Sequence, residues 1–235
     1  LKIDHSQNLM NRQAKLERDY QGGVTLVTQN VNDLHERAGS KKILHMHGEI
    51  LRKKCTWCDA KSDCRQDLDK TDRCVSCARE GGLRPDIVWF GEIPYHLEEI
   101  DQVLGDAKIF IGIGTSGHVY PSAGFVERAR GNGAWCIEIN KDQTALSTRF
   151  DDQRLGPALV EVPNLVTELL RQPMALGNNV KLTDCSFPIK AHLSRDVCKF
   201  ALEIPARFPG RGFAWDFYDV GRARSGSRYL RVSGE

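Results

Sequence analysis

Short apolar runs alternate with amphipathic stretches along residues 5–170. The apolar runs are rich in β-branched and aliphatic residues and are bounded by glycine or polar residues, which is typical of buried strands. Between them, apolar residues recur at helical spacing. Strands that alternate with helices predict a doubly wound, parallel α/β sheet of the Rossmann type. The predicted strands are 24–27, 43–46, 87–90, 107–113 and 134–140, and the predicted helices are 5–20, 97–104 and 124–130.

Polar or small residues follow four of these strands at the point where each strand ends. The carboxyl ends of parallel strands share one edge of the sheet, and open α/β sheets bind their ligands there. Small and hydroxyl residues before a helix also let backbone N–H groups reach a phosphate or a ribose. We therefore expect a ligand site built from Thr28 to Asn30, from His47 with Gly48, from Gly114 to Ser116, and from Asn140. Gly48 lacks a Cβ atom, so another group can approach this site closely.

The segment 48–84 breaks the pattern, because apolar periodicity disappears there and charged residues crowd in. It contains two Cys-x-x-Cys pairs, Cys55 with Cys58 and Cys74 with Cys77, separated by 15 residues. This spacing indicates a zinc ribbon with tetrahedral coordination by four thiolates. Protein fills all four positions and leaves none for a water molecule, so we predict one structural zinc ion.

Composition and charge narrow the classes of partner. The chain has 235 residues, 40% of them hydrophobic, with a formal net charge of +2 and a pI near 8.1. This charge is too small to favour a nucleic acid or an anionic membrane as partner. No apolar run approaches the roughly 20 residues of a membrane helix, and residues 1–20 carry too many charges for a secretory signal. We therefore expect a globular, cytoplasmic protein whose other thiols are reduced.

The segment from Thr28 to Gly48 carries the most specific pattern in the chain. It begins TQNVNDLHERAG and leads into HMHGE at 45–49. Together these motifs resemble the sirtuin family of NAD-dependent protein-lysine deacylases, and its bacterial members above all. The likeness extends over approximately 8–170. It implies NAD as cofactor, acyl-lysine proteins or peptides as partners, and transfer of an acetyl or succinyl group to ADP-ribose with release of nicotinamide.

The resemblance also implies roles for individual residues. His47 takes the place of the general base that acts on the ribose hydroxyls, and an imidazole suits this role because its pKa lies near neutral pH. The segment LRPDIVWFGE looks like the family's exposed backbone edge, to which the acyl-lysine peptide adds as a strand. Considered without the resemblance, it favours an ordinary core strand. The implied peptide contacts are Val88, Phe90 and Gly91, and the implied cofactor contacts are Gln29, Asn30, Val31, Asn32, Gly114, Thr115, Ser116, Asn140, Lys141, Asp142 and Ala158.

Two features depart from the family pattern. Asn32 stands where the family motif Thr-Gln-Asn-Ile-Asp has its acid, at the position implied to hold the nicotinamide carboxamide. Residues 1–23 contain no counterpart of the family's first strand and glycine-rich phosphate loop, so we expect a Rossmann-like domain that is incomplete at its start. The expected division is a Rossmann-like NAD-binding domain of 1–47 and 85–171, an inserted zinc module of 48–84, and an unassigned basic tail of 172–235.

Two other functions remain open at this point. The missing phosphate loop would suit a catalytically weak module that binds NAD, ADP-ribose or an acyl peptide. The second alternative is a zinc-dependent interaction protein that binds no nucleotide. In that case NAD would leave its thermal stability unchanged, whereas a ligand that binds the native state raises it. Neither the oligomeric state nor the acyl-chain preference is indicated by the sequence.

Overall fold

The computed structural model describes residues 5–171 and 199–204. Their helices are α1 (His5–Asp19), α2 (Leu34–Arg37), α3 (Leu97–Asp106), α4 (Phe125–Gly131) and α5 (Ala158–Arg171), with short 3₁₀ turns at Ser122–Gly124 and Ser147–Arg149. Their strands are β1 (Val24–Thr28), β2 (Ile43–His45), β3 (Gly48–Cys55), β4 (Lys61–Asp63), β5 (Leu83–Ile87), β6 (Ala107–Ile113), β7 (Trp135–Asn140), β8 (Asp152–Leu155) and β9 (Lys199–Ile204).

Six strands form a parallel sheet in the order β2-β1-β9-β6-β7-β8. Side chains alternate across a strand, so each strand serves two cores. In β6, Ile109 and Ile111 pack with α1 and α5 on one face, whereas Phe110 packs with α3 and α4 on the other. Helices therefore cover both faces of the sheet, and the predicted doubly wound α/β class is confirmed.

Strand β9 lies in the middle of this sheet although it is the last strand among the residues that the structure describes. It pairs in parallel with β1, where Leu26 faces Leu202, and with β6, where Ile111 faces Leu202. In the usual order of a doubly wound sheet, 3-2-1-4-5-6, the first strand holds this position. A strand from 172–235, the segment that sequence analysis left unassigned, thus completes the sheet.

Three strands form the smaller, antiparallel sheet in the order β4-β3-β5. It leaves the parallel sheet at Gly48, whose φ is +81°, a value that favours glycine. A Cβ atom at Gly48 would lie 2.1 Å from the carbonyl oxygen of Asp86. The close approach expected at this glycine is therefore made by β5 of the same chain.

The strand predicted at 87–90 is misplaced, because β5 ends where that strand was to begin. β5 is an edge strand, which tolerates Pro85 without a lost ladder hydrogen bond. After it the chain turns: the Trp89 N–H donates to Glu92 Oε2 at 2.9 Å, and Arg84 stacks 4.4 Å above the Trp89 ring. β8 is short and polar, so no apolar run in the sequence predicts it. Among 5–171 and 199–204, no helix combines the length and apolarity that a bilayer crossing requires.

Candidate active site and zinc centre

The polar residues at the end of β1 are buried and tightly held. Thr28 is fully buried, and Gln29 and Asn30 are almost so. The Asn30 N–H donates to Thr28 Oγ1 at 3.0 Å, and the Thr28 carbonyl accepts the Met46 N–H at 3.1 Å. The end of β1 is thus joined to the segment that follows β2 and leads to His47.

His47 lies between the sheet and the zinc ribbon. Its carbonyl oxygen accepts the Val88 N–H at 2.9 Å, so the segment after β5 runs beside it. Partial burial lowers the pKa of the imidazole, and an interaction with the Gln29 backbone opposes this shift without cancelling it. His47 is therefore neutral at pH 7 and able to accept a proton.

The ends of β6 and β7 are bound to each other. The Gly114 N–H donates to the Ile139 carbonyl at 2.7 Å, and Gly114 has φ of +63°. The Asn140 side-chain amide donates to the Thr115 carbonyl at 2.7 Å, while its oxygen accepts the Lys141 N–H at 3.0 Å. Asn140 therefore fixes the turn that carries Thr115, as well as being a predicted cofactor contact.

The other predicted cofactor residues at this edge are more open. Ser116, Lys141 and Asp142 are exposed, and Ala158 is partly buried as the first residue of α5. The Gly156 N–H donates to the Asn140 carbonyl at 2.8 Å, which holds the start of α5 at the end of β7. The predicted residues after β1, β6 and β7 thus share one edge of the sheet.

Val31 and Asn32 follow the buried end of β1 and are partly buried. They line a cavity of about 360 Å³ whose lining does not include His47. Asn32 Oδ1 accepts the Leu34 N–H at 3.3 Å, at the start of α2. The predicted contact of Asn32 with nicotinamide stays a prediction.

The same cavity contains a pair of side chains, His45 and Glu36, of which the sequence alone predicts only a structural role for His45. His45 Nε2 lies 2.6 Å from Glu36 Oε1, and His45 Nδ1 lies 3.0 Å from the Asn30 carbonyl. Glu36 and His45 are nine residues apart in the sequence, on opposite sides of the turn between α2 and β2. No local pattern in the sequence marks them as a pair.

The four predicted zinc ligands lie together in the ribbon. Their sulfur atoms are all within 4.8 Å of one another. Cys55 Sγ is 3.8 Å from Cys77 Sγ, and Cys58 Sγ is 3.6 Å from Cys74 Sγ. Sulfur atoms bound tetrahedrally with Zn–S bonds of about 2.3 Å are about 3.8 Å apart. The cluster therefore fits one structural zinc ion.

The pKa values of two of these thiols are shifted in opposite directions by the close packing of the four sulfur atoms and by nearby backbone N–H groups. Backbone N–H groups of Cys77 and Ser76 lower the pKa of Cys74 to about 6. The Ala60 backbone also lowers the pKa of Cys58, but desolvation and the neighbouring thiols outweigh it and raise the value to about 12. Four thiolates this close repel one another, and a divalent metal relieves the repulsion.

The predicted peptide edge is exposed. Phe90 exposes 87% of its surface and Trp89 exposes 53%, which is unusual for large apolar side chains. Gly91 has φ of +88°, and a Cβ atom added to it would meet nothing within 4 Å. Val88 lies one hydrogen bond from His47, so this segment leads from the histidine to the protein surface.

The chain is similar to known proteins in sequence. A family model described as the Sir2 family matches residues 5–121. A Bdellovibrio bacteriovorus protein named NAD-dependent protein deacylase is 52% identical over 155 residues, which are 66% of this chain and 65% of that protein. A Leishmania major protein named NAD-dependent protein deacylase SIR2rp3 is 46% identical over 164 residues, which are 68% of each chain. The chain thus spans slightly less than two thirds of the Bdellovibrio protein.

It is also similar to solved structures. The crystal structure of a Sir2 homolog–NAD complex is 34% identical and superposes with a TM-score of 0.63, covering 69% of this chain and 64% of that chain. The likeness therefore extends from sequence to fold.

Proposed function

Because the chain belongs to the Sir2 family, we propose that it is an NAD-dependent protein-lysine deacylase, which transfers the acyl group to ADP-ribose and releases nicotinamide. The observation that carries this proposal is the position of His47. The neutral imidazole lies beside the buried polar end of β1 and one hydrogen bond from the exposed segment that begins at Val88. A base between the proposed nucleotide site and the proposed peptide edge is what this reaction requires.

NAD, when bound, supplies the ribose carbon at which the acyl oxygen displaces nicotinamide. In our proposal His47 accepts the proton of a ribose hydroxyl, so that this hydroxyl takes over the acyl group. Burial favours its neutral form, and this keeps the base available below the pH at which a free imidazole would be half protonated. On the acid side of the pH profile, activity should accordingly fall as the pH drops through the lowered pKa of His47.

The proposed cofactor site follows the shared edge of the sheet. Gln29 and Asn30 after β1 and Thr115 after β6 are buried polar residues, which suits them to hold a ligand that is mostly enclosed. The N-terminal end of α5, held at Asn140 by the Gly156 N–H, carries the partial positive charge that favours phosphate. Ser116, Lys141 and Asp142 would lie at the open rim.

The proposed partner is an acyl-lysine protein or peptide in extended conformation. Backbone groups of Val88 to Gly91 would pair with it, while the exposed Phe90 and Trp89 would cover its side chains. Main-chain pairing gives affinity with little dependence on sequence. We also propose the cytoplasm as the compartment, because a site of four zinc thiolates needs reduced cysteines.

The test is product analysis by mass spectrometry. An acetyl-lysine peptide incubated with the full chain and NAD should yield the deacetylated peptide, nicotinamide and O-acetyl-ADP-ribose in equal amounts. An unmodified peptide of the same sequence is the control and should release no nicotinamide. Binding of NAD without any of the three products would instead indicate a binding module.

A further inference from the structure

We infer that His45 is a positioning residue, held as an imidazolium by Glu36, which fixes the backbone of Asn30 at the cofactor end of β1. The effect on turnover rests on the proposed function, but the protonation state of His45 does not.

Both ring nitrogens of His45 face oxygen atoms that only accept hydrogen bonds. Nδ1 lies 3.0 Å from the Asn30 carbonyl, and Nε2 lies 2.6 Å from Glu36 Oε1. A carbonyl has no proton to give, and neither has an ionised carboxylate. A neutral imidazole carries one N–H and could satisfy only one of them. The geometry therefore requires a proton on each nitrogen, which is the charged ring.

The site stabilises that charge from more than one element. The His45 side chain is 7% exposed, and Glu36 on α2 faces it directly. Glu49 on β3 adds a second carboxylate nearby, although Arg52 binds it at 3.1 Å. His35, the other imidazole close by, has its pKa lowered by burial to about 4 and is neutral. The remaining charged residues that line the cavity are Asp33, Arg37, Asp63 and Arg65.

These charges set the pH range in which His45 is charged. Burial lowers the pKa of His45, but the hydrogen bonds to Glu36 and to the Asn30 backbone outweigh burial and raise it above the usual value. A raised pKa in the folded state stabilises the fold below the ordinary histidine pKa, and this contribution is lost as the pH rises through the folded value.

His47 has a lowered pKa, so the two histidines limit activity from opposite sides. His47 needs to lose its proton and His45 needs to keep one. The ratio kcat/KM for NAD should therefore be highest between the two pKa values and give a bell-shaped pH profile.

The anchored backbone belongs to the cofactor end of β1. The Asn30 carbonyl is held by His45, and the Asn30 N–H is held by Thr28 Oγ1 at 3.0 Å. Gln29, whose backbone touches His47, precedes it directly. A charge-assisted hydrogen bond holds this peptide unit about twice as strongly as a neutral one. Loss of the charge should loosen the cofactor contacts while the base itself remains.

Glu36→Gln isolates the charge, because a glutamine amide can donate to a neutral Nε2 and keep the same contact. The matched control is Glu99→Gln, which alters an exposed pair in which His96 Nδ1 lies 3.5 Å from Glu99. We expect Glu36→Gln to raise the KM for NAD about fivefold, to leave kcat at the optimum within about twofold, and to move the alkaline limb of the profile to lower pH. Glu99→Gln should change none of these.

The direct measurement is ¹⁵N NMR of the histidine rings between pH 6 and 9. At pH 7 both nitrogens of His45 should be protonated in the native protein, and only Nδ1 in Glu36→Gln. A deprotonated Nε2 in the native protein at pH 7 would overturn the inference, and so would an unchanged KM with an unchanged alkaline limb in an active Glu36→Gln variant. If the protein proves to be a binding module, calorimetry replaces KM, and NAD should bind about fivefold more weakly to Glu36→Gln.

Discussion

The parallel sheet and the zinc ribbon of β3, β4 and β5 are held together by different forces. All five residues of β1 are buried, and all but one of β6. The ribbon strands are mostly half-buried, and β4 has no buried residue. Burial of apolar surface stabilises a fold by roughly 25 cal/mol per Å², and the ribbon has little such surface to bury. Its order therefore depends on the metal, whereas that of the sheet depends on its cores.

The difference shows how the two regions share the proposed chemistry. His47 stands where they join, directly before Gly48 and one hydrogen bond from Val88. A second bond, from the Ile50 N–H to the Val31 carbonyl at 2.7 Å, ties the ribbon to the loop after β1. In the proposed reaction the sheet edge would supply the reacting groups, and the ribbon would support the loops after β1 and β2 through these two hydrogen bonds.

Removal of 172–235 should have the largest effect, and on the sheet alone. β9 pairs with both β1 and β6, so its loss leaves two unpaired strand edges in the middle of the sheet. We expect truncation after Arg171 to abolish the cooperative thermal transition seen by circular dichroism while zinc stays bound. A truncated protein that melts at the temperature of the full chain would show that β9 does not stabilise the sheet.

Loss of zinc should have the opposite effect: it should unfold the ribbon and leave the parallel sheet intact. Structural zinc sites bind with apparent free energies of about 10–16 kcal/mol, and small loops without a core do not order in its absence. Cys55→Ser should release zinc and expose the amides of β3 and β5 to hydrogen exchange, while those of β1 and β6 stay protected. Cys64→Ser is the matched control, because the Cys64 thiol bonds to the Gln66 carbonyl outside the cluster. The S4 assignment is wrong if metal analysis finds equal zinc in both variants.

A cavity in the sheet should cost less than either loss. Ile111 is 1% exposed in the middle of β6. We expect Ile111→Ala to lower the free energy of unfolding by about 2–5 kcal/mol without loss of zinc. Ile93→Ala removes the same atoms at a site that is 79% exposed and should change stability by less than about 0.5 kcal/mol. Equal urea midpoints for the two variants would contradict the assignment of this core.

Local patterns in the sequence were enough to predict most of the fold. The apolar runs that became β1, β6 and β7 and the paired cysteines each carry their signal within a few residues. The strand at 87–90 was misplaced because Trp89 turns away from β5 and contacts Arg84 and Glu92. The missed β9 has another cause. Which strand fills the gap between β1 and β6 is decided by pairing across more than ninety residues, from Ile111 to Leu202, and no local period encodes it.

Part of the candidate site could be predicted from the sequence and part could not. His47, Gln29 and Thr115 follow strand ends, and the topology of a parallel sheet brings such residues to one edge. The hydrogen bond between His45 and Glu36 was not predictable, because it joins side chains from two elements whose relative position depends on packing. The same holds for Asn140, whose hold on the Thr115 carbonyl shows only in three dimensions.

Asn32→Asp should have the smallest effect in free energy. It should change only the proposed cofactor site at the edge of the sheet. A carboxylate would still accept the Leu34 N–H, so the start of α2 should be unchanged. If position 32 holds the nicotinamide carboxamide, restoring the charge should raise turnover or nicotinamide sensitivity about tenfold, or roughly 1.4 kcal/mol. Asn11→Asp adds the same charge on the exposed face of α1 and is the control. Equal nicotinamide inhibition in the two variants would remove Asn32 from the proposed pocket.

The most direct test of the whole account compares binding and turnover in His47→Asn. Calorimetry should show NAD affinity within a few-fold of the native protein, because the buried residues after β1 and β6 remain in place. Nicotinamide release with an acetyl-lysine peptide should fall at least about a hundredfold, the usual contribution of a general base. His96→Asn, at a histidine whose side chain is 46% exposed, should leave both values unchanged. Turnover that survives in His47→Asn would contradict the role of His47 as the base.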